Sequence, residues 1–314
     1  MESLPLAVGP SIRGQSSVLT VHSTPTLRSP ALLCGFSGWP DAGSAASGAV
    51  EYLRTKRAPR RFAELDARAI YVHTNNRPFS QIVRPGERRL EWPSLALDAL
   101  SIPEAQRDLV LLVGAEPDLR WRTCASTLVD YCRALGVDTV VTLGAFLAPV
   151  SHGGPVRLNG RSSRPDFGRL LTTLGLRDGA YEGPTGFPTA LLDAAQRRGL
   201  GTASIWAASP VYLRGLVNPK LSASLLGVVE RLLELDLGIT ELEAGGRDLE
   251  RRIDAELMTR PDLERFVQRL AVESEDDGGV DEGVEVPDEL PSADEILDDL
   301  EQHLRRLGHG DQSP

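Results

Sequence analysis

Ala31–Phe36, Asp108–Val113 and Thr139–Leu143 are short apolar runs, and each leads into a turn that contains glycine. A run without polar alternation fits a strand covered on both faces. The first two runs precede stretches of helical character, about Ser44 to Lys56 and about Arg120 to Leu135, and Gly136 is a suitable stop for the second. Ala45, Ala46, Ser47, Gly48 and Ala49 are small enough to let the first helix lie close to a neighbouring backbone. The alternation resumes with a helix from near Thr185 to Arg197, closed by Gly199, and a strand over Thr202–Ala207. Asn218 then caps a long helix with Pro219 at its first position, where no N–H is needed. Leu221, Leu225, Val228, Leu232 and Leu235 recur on one face of that helix. Two more helices are predicted over Glu241–Met258 and Pro261–Val272. Arg68–His73 reads as a further strand, and Gln81–Val83 with Arg89–Trp92 as a hairpin around Arg84-Pro85-Gly86-Glu87. Strands alternating with helices predict an α/β fold, with a largely parallel or mixed sheet flanked by helices. No internal repeat of solenoid spacing is present.

Charge locates a boundary. The chain carries a net charge of −10, but residues 273–314 hold 15 acidic residues against 2 arginines. The remaining 272 residues hold 29 acidic and 32 basic residues, close to neutrality. The predicted organisation is an N-terminal arm or edge strand over 1–30, a single domain over 31–272 with a helical end from 240, a flexible acidic linker over 273–291, and a short helix and tail over 292–314. In that last segment Ile296, Leu297, Leu300 and Leu304 share a helical face, and Ser292 with Glu295 forms a capping box. The face suits packing on the body or a sister subunit, or docking on a partner.

Several function classes lack their signatures. No concentrated basic stripe points to nucleic acid, and no apolar run reaches the ~18 residues of a membrane span. The N-terminus does not read as a signal peptide. Cys34, Cys124 and Cys132 are too few and too unevenly spaced for a disulfide framework or a zinc cage, so they are expected to be reduced core residues of a cytoplasmic protein. No dinucleotide fingerprint, phosphate loop or zinc-protease motif occurs, and no cofactor or metal is expected. Gly35-Phe36-Ser37-Gly38 approaches a nucleophile elbow, but Gly38 comes one position early. A hydrolase triad from Ser37, Asp41 and His152 or His73 is one reading, against turn, cap and loop roles for the same residues.

Three turns stand out as candidate interface or pocket segments. They are Gly35–Gly43, with Phe36, Trp39 and Asp41; Gly114–Trp121, with Glu116 and Arg120; and Gly144–Pro149. All three are expected at one edge of a parallel sheet, where α/β proteins bind ligands. Glycines there let backbone amides approach a partner, and Glu116 and Asp118 are candidate caps.

The ordered set Gly35-Phe36-Ser37-Gly38-Trp39-Pro40-Asp41-Ala42-Gly43, Gly114-Ala115-Glu116-Pro117-Asp118 with Arg120-Trp121, Gly183-Pro184-Thr185-Gly186, Ser209-Pro210-Val211-Tyr212 and Asn218-Pro219-Lys220 resembles the PAC2 family, named for a proteasome assembly chaperone. The arginine-rich composition and acidic tail suit its actinobacterial branch. The resemblance covers about residues 31–272 and adds Thr185 and Gly186 to the candidate site. It implies a phosphorylase/hydrolase-like α/β fold, self-assembly into small rings such as a trimer, and a chaperone-like or scaffold role with proteasome subunits as partners. Some proteasome partners end in a hydrophobic residue, Tyr and one more; this sequence ends Asp311-Gln312-Ser313-Pro314, which leaves the predicted tail helix as the docking element. Two other readings stay open. One is an enzyme of nucleoside phosphorylase or hydrolase type, with a deep pocket lined by Asp41, Glu116 and His152 or Arg120. The other is a small-ligand sensor at the same glycine-rich edge.

Overall fold

In the computed structural model, which describes residues 18–179, 181–261, 264, 265 and 267–270, the three apolar runs lie side by side. In chain order the strands are β1 (Leu19–Val21), β2 (Ala31–Ser37), β3 (Arg60–Leu65), β4 (Phe79–Arg84), β5 (Glu87–Glu91), β6 (Leu95–Leu100), β7 (Leu109–Ala115), β8 (Thr139–Ala148), β9 (Leu158–Ser162) and β10 (Gly201–Pro210). The helices are α1 (Ala45–Arg57), α2 (Ala67–Ile70), α3 (Trp121–Ala134), α4 (Pro165–Thr173), α5 (Phe187–Arg197), α6 (Pro219–Leu233) and α7 (Thr240–Leu257). Eight strands form one mixed sheet in the order β1-β3-β6-β7-β2-β8-β10-β9. Its centre, β7-β2-β8-β10, is parallel, and the flanking strands are antiparallel.

Side chains two apart on a strand share a face, and both faces of this sheet are covered. Leu33, Leu109, Leu111, Val113, Val141 and Ile205 pack beneath α1, α4 and α6. Leu32, Cys34, Phe36, Val110, Leu112 and Val140 pack beneath α3 and α5. This two-sided burial is why the central strands read as unbroken apolar runs. Helix α1 sits unusually close to β2, since a Cβ on Gly35 would stand 2.2 Å from the carbonyl oxygen of Ala46. Asn218 caps α6 by accepting from the Lys220 amide at 3.1 Å, as its position before Pro219 implies.

The expected strand over Arg68–His73 is absent. Asp66 accepts from the Arg68 amide at 3.1 Å and caps the single turn of α2 there. The strand of this region is β3, one segment earlier. Strand β6 carries a buried Asp98 that breaks the apolar pattern; Arg54 of α1 and Arg61 of β3 reach it at 3.1 and 3.3 Å. The described parts of 261–270 are helical, and Val267 and Leu270 pack with Ile253 and Leu257 of α7. The tail positions Ile296, Leu297, Leu300 and Leu304 lie outside the described residues, as do residues 1–17 of the expected N-terminal arm.

One hairpin stands apart. Among the described residues, strands β4 and β5 pair only with each other, around Pro85-Gly86 with Gly86 at φ 82°. Phe79, Ile82, Val83 and Leu90 of this ribbon, and Trp92 just after it, are all more than half exposed.

Candidate functional site

Strands β2, β7 and β8 run parallel, so the turns that follow them lie at one edge of the sheet. The chain leaves β2 through Gly38 (φ 124°) and Gly43 (φ 66°) before entering α1. Asp41, between them, bridges to Ala145 of β8, and the Ala145 amide donates to the Pro40 carbonyl at 2.8 Å. The Asp41 carboxylate accepts from the amides of Ala46 and Ser47 at 2.8 and 3.1 Å and from the Ser47 hydroxyl at 2.5 Å. It therefore caps α1 from outside the helix. Burial pushes this carboxyl above its ordinary range, against the opposing pull of those hydrogen bonds.

Glu116 joins two of the turns. Its carboxylate accepts from the Phe187 amide at 2.5 Å, at the start of α5, and from the Trp39 amide. Its own amide donates to the Ser37 carbonyl at 3.0 Å. A Cβ on Gly186 would stand 2.7 Å from Glu116 Oε1, so a side chain there would push this carboxylate off the Phe187 amide. Burial also raises the Glu116 carboxyl. Asp118 behaves oppositely. Burial pushes it up, but bonds from the Val72 amide at 2.7 Å and from Asn76 and Asn75 at 2.9 and 3.2 Å prevail and hold it below the usual range.

A cavity of about 750 Å³ opens at this edge between the β2 turn, the end of β8, the middle of β9 and β10, and the approach to α5. Trp39, Asp41, Gly43 and Thr185 line it, with Trp39 65% exposed. The other predicted positions lie elsewhere. Phe36 is fully buried, edge-to-face with Phe187 at 5.3 Å, so it belongs to the core. Trp121 is half-buried against Phe187 at 5.9 Å, and its indole N–H donates to the Pro117 carbonyl. Arg120 is exposed beside it with φ 58°. Gly35 and Gly114 serve close packing, against α1 and the Ser94 carbonyl respectively. Gly144 lies within β8 beneath Trp206, and Pro149 is half-buried just past that strand.

The residues of the hydrolase reading are not assembled. Asp41 is spent on α1. His152 Nδ1 and Nε2 bond to the Tyr212 hydroxyl at 2.7 Å and to Asp254 at 3.0 Å. His73 packs on Trp92 at 5.0 Å. Glu116, His152 and Arg120 do not line the cavity. No cluster of His, Cys, Asp and Glu suited to a metal ion occurs among the described residues, and none of their helices is long and apolar enough to cross a membrane. The residues that sequence reasoning missed are Asn159, Arg161, Ser204 and Trp206, which also line the cavity. Their grouping depends on strand register and left no local motif.

Residues 35–257 match the profile of the PAC2 family. The chain belongs to that family. A PAC2 family protein from Streptomyces avermitilis is 36% identical, with a TM-score of 0.65 over 72% of this chain and 95% of that one. A proteasome-assembly chaperone homologue from Mycobacterium tuberculosis is 34% identical, with a TM-score of 0.67 over 76% of this chain and 99% of that one. A second M. tuberculosis protein, of unknown function, shares the fold at 20% identity and a TM-score of 0.77, over 85% of this chain and 93% of that one. The comparison with curated proteins gave no match. The PAC2 match begins at Gly35, under α1, and ends at Leu257, the last residue of α7. It therefore spans the three turns, the hairpin and every residue that lines the cavity.

Proposed function

We propose that this PAC2 protein is a non-catalytic, chaperone-like protein of proteasome assembly that works as a homo-oligomer in the cytoplasm. The observation that carries this reading is the β4–β5 hairpin. A two-stranded ribbon is marginal on its own, yet this one leaves Phe79, Ile82, Val83 and Leu90 in solvent. The hairpin carries both signs of charge, with Arg84, Arg88 and Arg89 beside Glu87 and Glu91. A patch of mixed sign with an apolar centre suits a second copy of this chain as its occupant; seated on a different face of that copy it closes a ring, for which three subunits is the size to test. The saturated carboxylates at the sheet edge support a binding role over a hydrolytic one. The M. tuberculosis relative supports proteasome subunits as partners, with Ile296, Leu297, Leu300 and Leu304 as the docking face.

The test has two arms. Light scattering on the purified chain should give a multiple of 34.0 kDa. The Ile82→Ser/Leu90→Ser double variant should lower that mass while keeping its stability within about 1 kcal/mol, the sum of two exposed substitutions. In pull-downs from the native host, the full chain should retain proteasome subunits and a chain truncated after residue 272 should lose them. A monomeric wild type refutes the oligomer, and a full-length bait that retains no proteasome subunit refutes the partner.

A further inference from the structure

The cavity contains a group of side chains that neither the caps nor the core account for. Antiparallel register places Asn159 opposite Trp206 and Arg161 opposite Ser204. Residues two apart on a strand share a face, so these four form one block, and all four line the cavity. On the other side of β10, parallel register places Gly144 of β8 beside Trp206. A Cβ at Gly144 would stand 2.6, 2.6 and 2.8 Å from indole atoms Cδ2, Cε3 and Cε2. Near-equal distances to three ring atoms mean that the indole lies face-on against the bare backbone of β8.

The ring is also held at its edge. Trp206 Nε1 donates to Ser204 Oγ at 2.9 Å, and Thr142 Oγ1 meets the same oxygen at 3.4 Å. One face and one edge of the indole are thus fixed, and the half-buried remainder borders the cavity. Around it, the side chains of Asn159, Arg161 and Arg214 enter no hydrogen bond or ion pair among the described residues. A tryptophan serving only as core filler would not be ringed by uncommitted polar groups. Elsewhere this face of the sheet is apolar, as Leu32, Val110, Leu112 and Val140 show.

The geometry points to a binding site for a small planar heteroaromatic molecule, stacked on the free face of Trp206. The Asn159 amide offers both a donor and an acceptor to the edge of such a ring, and the Arg161 fork offers donors. Asp178 and Glu182, also at the cavity wall, accept from ring N–H or amino groups. A volume of about 750 Å³ leaves room for such a ring together with substituents. The stacking surface is prefixed, so binding loses little side-chain entropy. The inference stands apart from the oligomer reading, because every residue it uses belongs to one chain.

The test titrates the full chain with adenine, hypoxanthine and nicotinamide, followed by tryptophan fluorescence and by melting temperature, with cyclohexanecarboxamide as the non-planar probe. At least one planar probe should saturate below about 1 mM and raise the Tm, and the non-planar probe should do neither. Trp206→Leu should weaken binding about tenfold or more, and Arg161→Ala severalfold. Gly144→Ala should weaken it as well, by pushing the indole into the cavity. Trp92→Leu, exposed just past the hairpin and away from the cavity, should leave affinity within about threefold, which separates stacking on Trp206 from surface quenching. The inference is overturned if no planar probe binds, if cyclohexanecarboxamide binds as well as they do, or if Trp206→Leu keeps full affinity. Arg161 is exposed, so its variant should fold. If Trp206→Leu does not fold, unchanged affinity in Arg161→Ala overturns the inference alone.

Discussion

Replacing Glu116 by alanine removes the acceptor that ties the β2 turn to the start of α5. Two amides lose a partner, those of Phe187 and Trp39. Phe187 is fully buried, and a buried donor left unsatisfied costs about 1–3 kcal/mol. Trp39 is largely exposed, so its amide can turn to water at smaller cost. Together these give a loss of about 2–3 kcal/mol, which for a domain of this size lowers the Tm by roughly 5–10 °C. Glu116→Gln keeps one carbonyl acceptor for the buried Phe187 amide, removes the charge and turns the second oxygen into an amide donor. Burial already disfavours the ionised form, so this variant should lose no more than about 1 kcal/mol. The pH dependence has a fixed sign. A carboxyl whose folded value lies above its unfolded value gives stability that is complete at low pH and is lost as pH rises through the folded value. Wild type should therefore stand best relative to Glu116→Gln near about pH 4, and the gap should narrow toward pH 7. Urea unfolding across that range measures both effects. Equal destabilisation in the two variants, or an alanine variant that melts with wild type, would refute the capping argument.

Two further outcomes are expected. Gly35→Ala should cost about 3 kcal/mol or more, because its Cβ would meet the Ala46 backbone carbonyl and no side chain can move aside; thermal unfolding of the variant checks it. The thiols of Cys34, Cys124 and Cys132 are buried, and burial raises all three, Cys132 to about 12 and Cys124 to about 11. A thiol reagent at mildly alkaline pH should leave the native chain unlabelled and modify all three once denaturant is added.

Much of the fold was legible because local signals agreed. The central strands announced themselves as apolar runs, and α6 by its Asn218-Pro219 start. The hairpin announced itself by Pro85-Gly86. What escaped was structure whose logic is non-local. Strand β6 reads ambiguously because Asp98 interrupts it, and its two arginine partners come from α1 and β3. Strand β9 has almost no apolar residues because it lies at the edge of the sheet, with β10 on one side and a single bridge from Asn159 to Arg177 on the other. The Arg68–His73 segment has strand-like composition, but the Asp66 cap and the bond from the Val72 amide to Asp118 draw it into a turn and loop. At the sheet edge, Trp39, Asp41 and Gly43 were legible as turn residues at one end of the sheet, and Thr185 came only through the PAC2 resemblance. The Trp206 block was not, since it exists only once β8, β9 and β10 are in register.

The position of β2 also sets the order in which the molecule can assemble during synthesis. This strand leaves the ribosome well before the strands that flank it, yet it lies mid-sheet, with Ala31 beside Leu109 on one flank and Thr139 on the other. At translation rates of about 5–20 residues per second, the first of those neighbours follows by roughly 4–16 s. Through that interval Ala31–Phe36, an apolar segment with no partner yet made, is open to any strand nearby. The growing chain is thus most in need of shelter before its own core can close, and its folding rate is governed by the late arrival of β7 and β8 rather than by any local step.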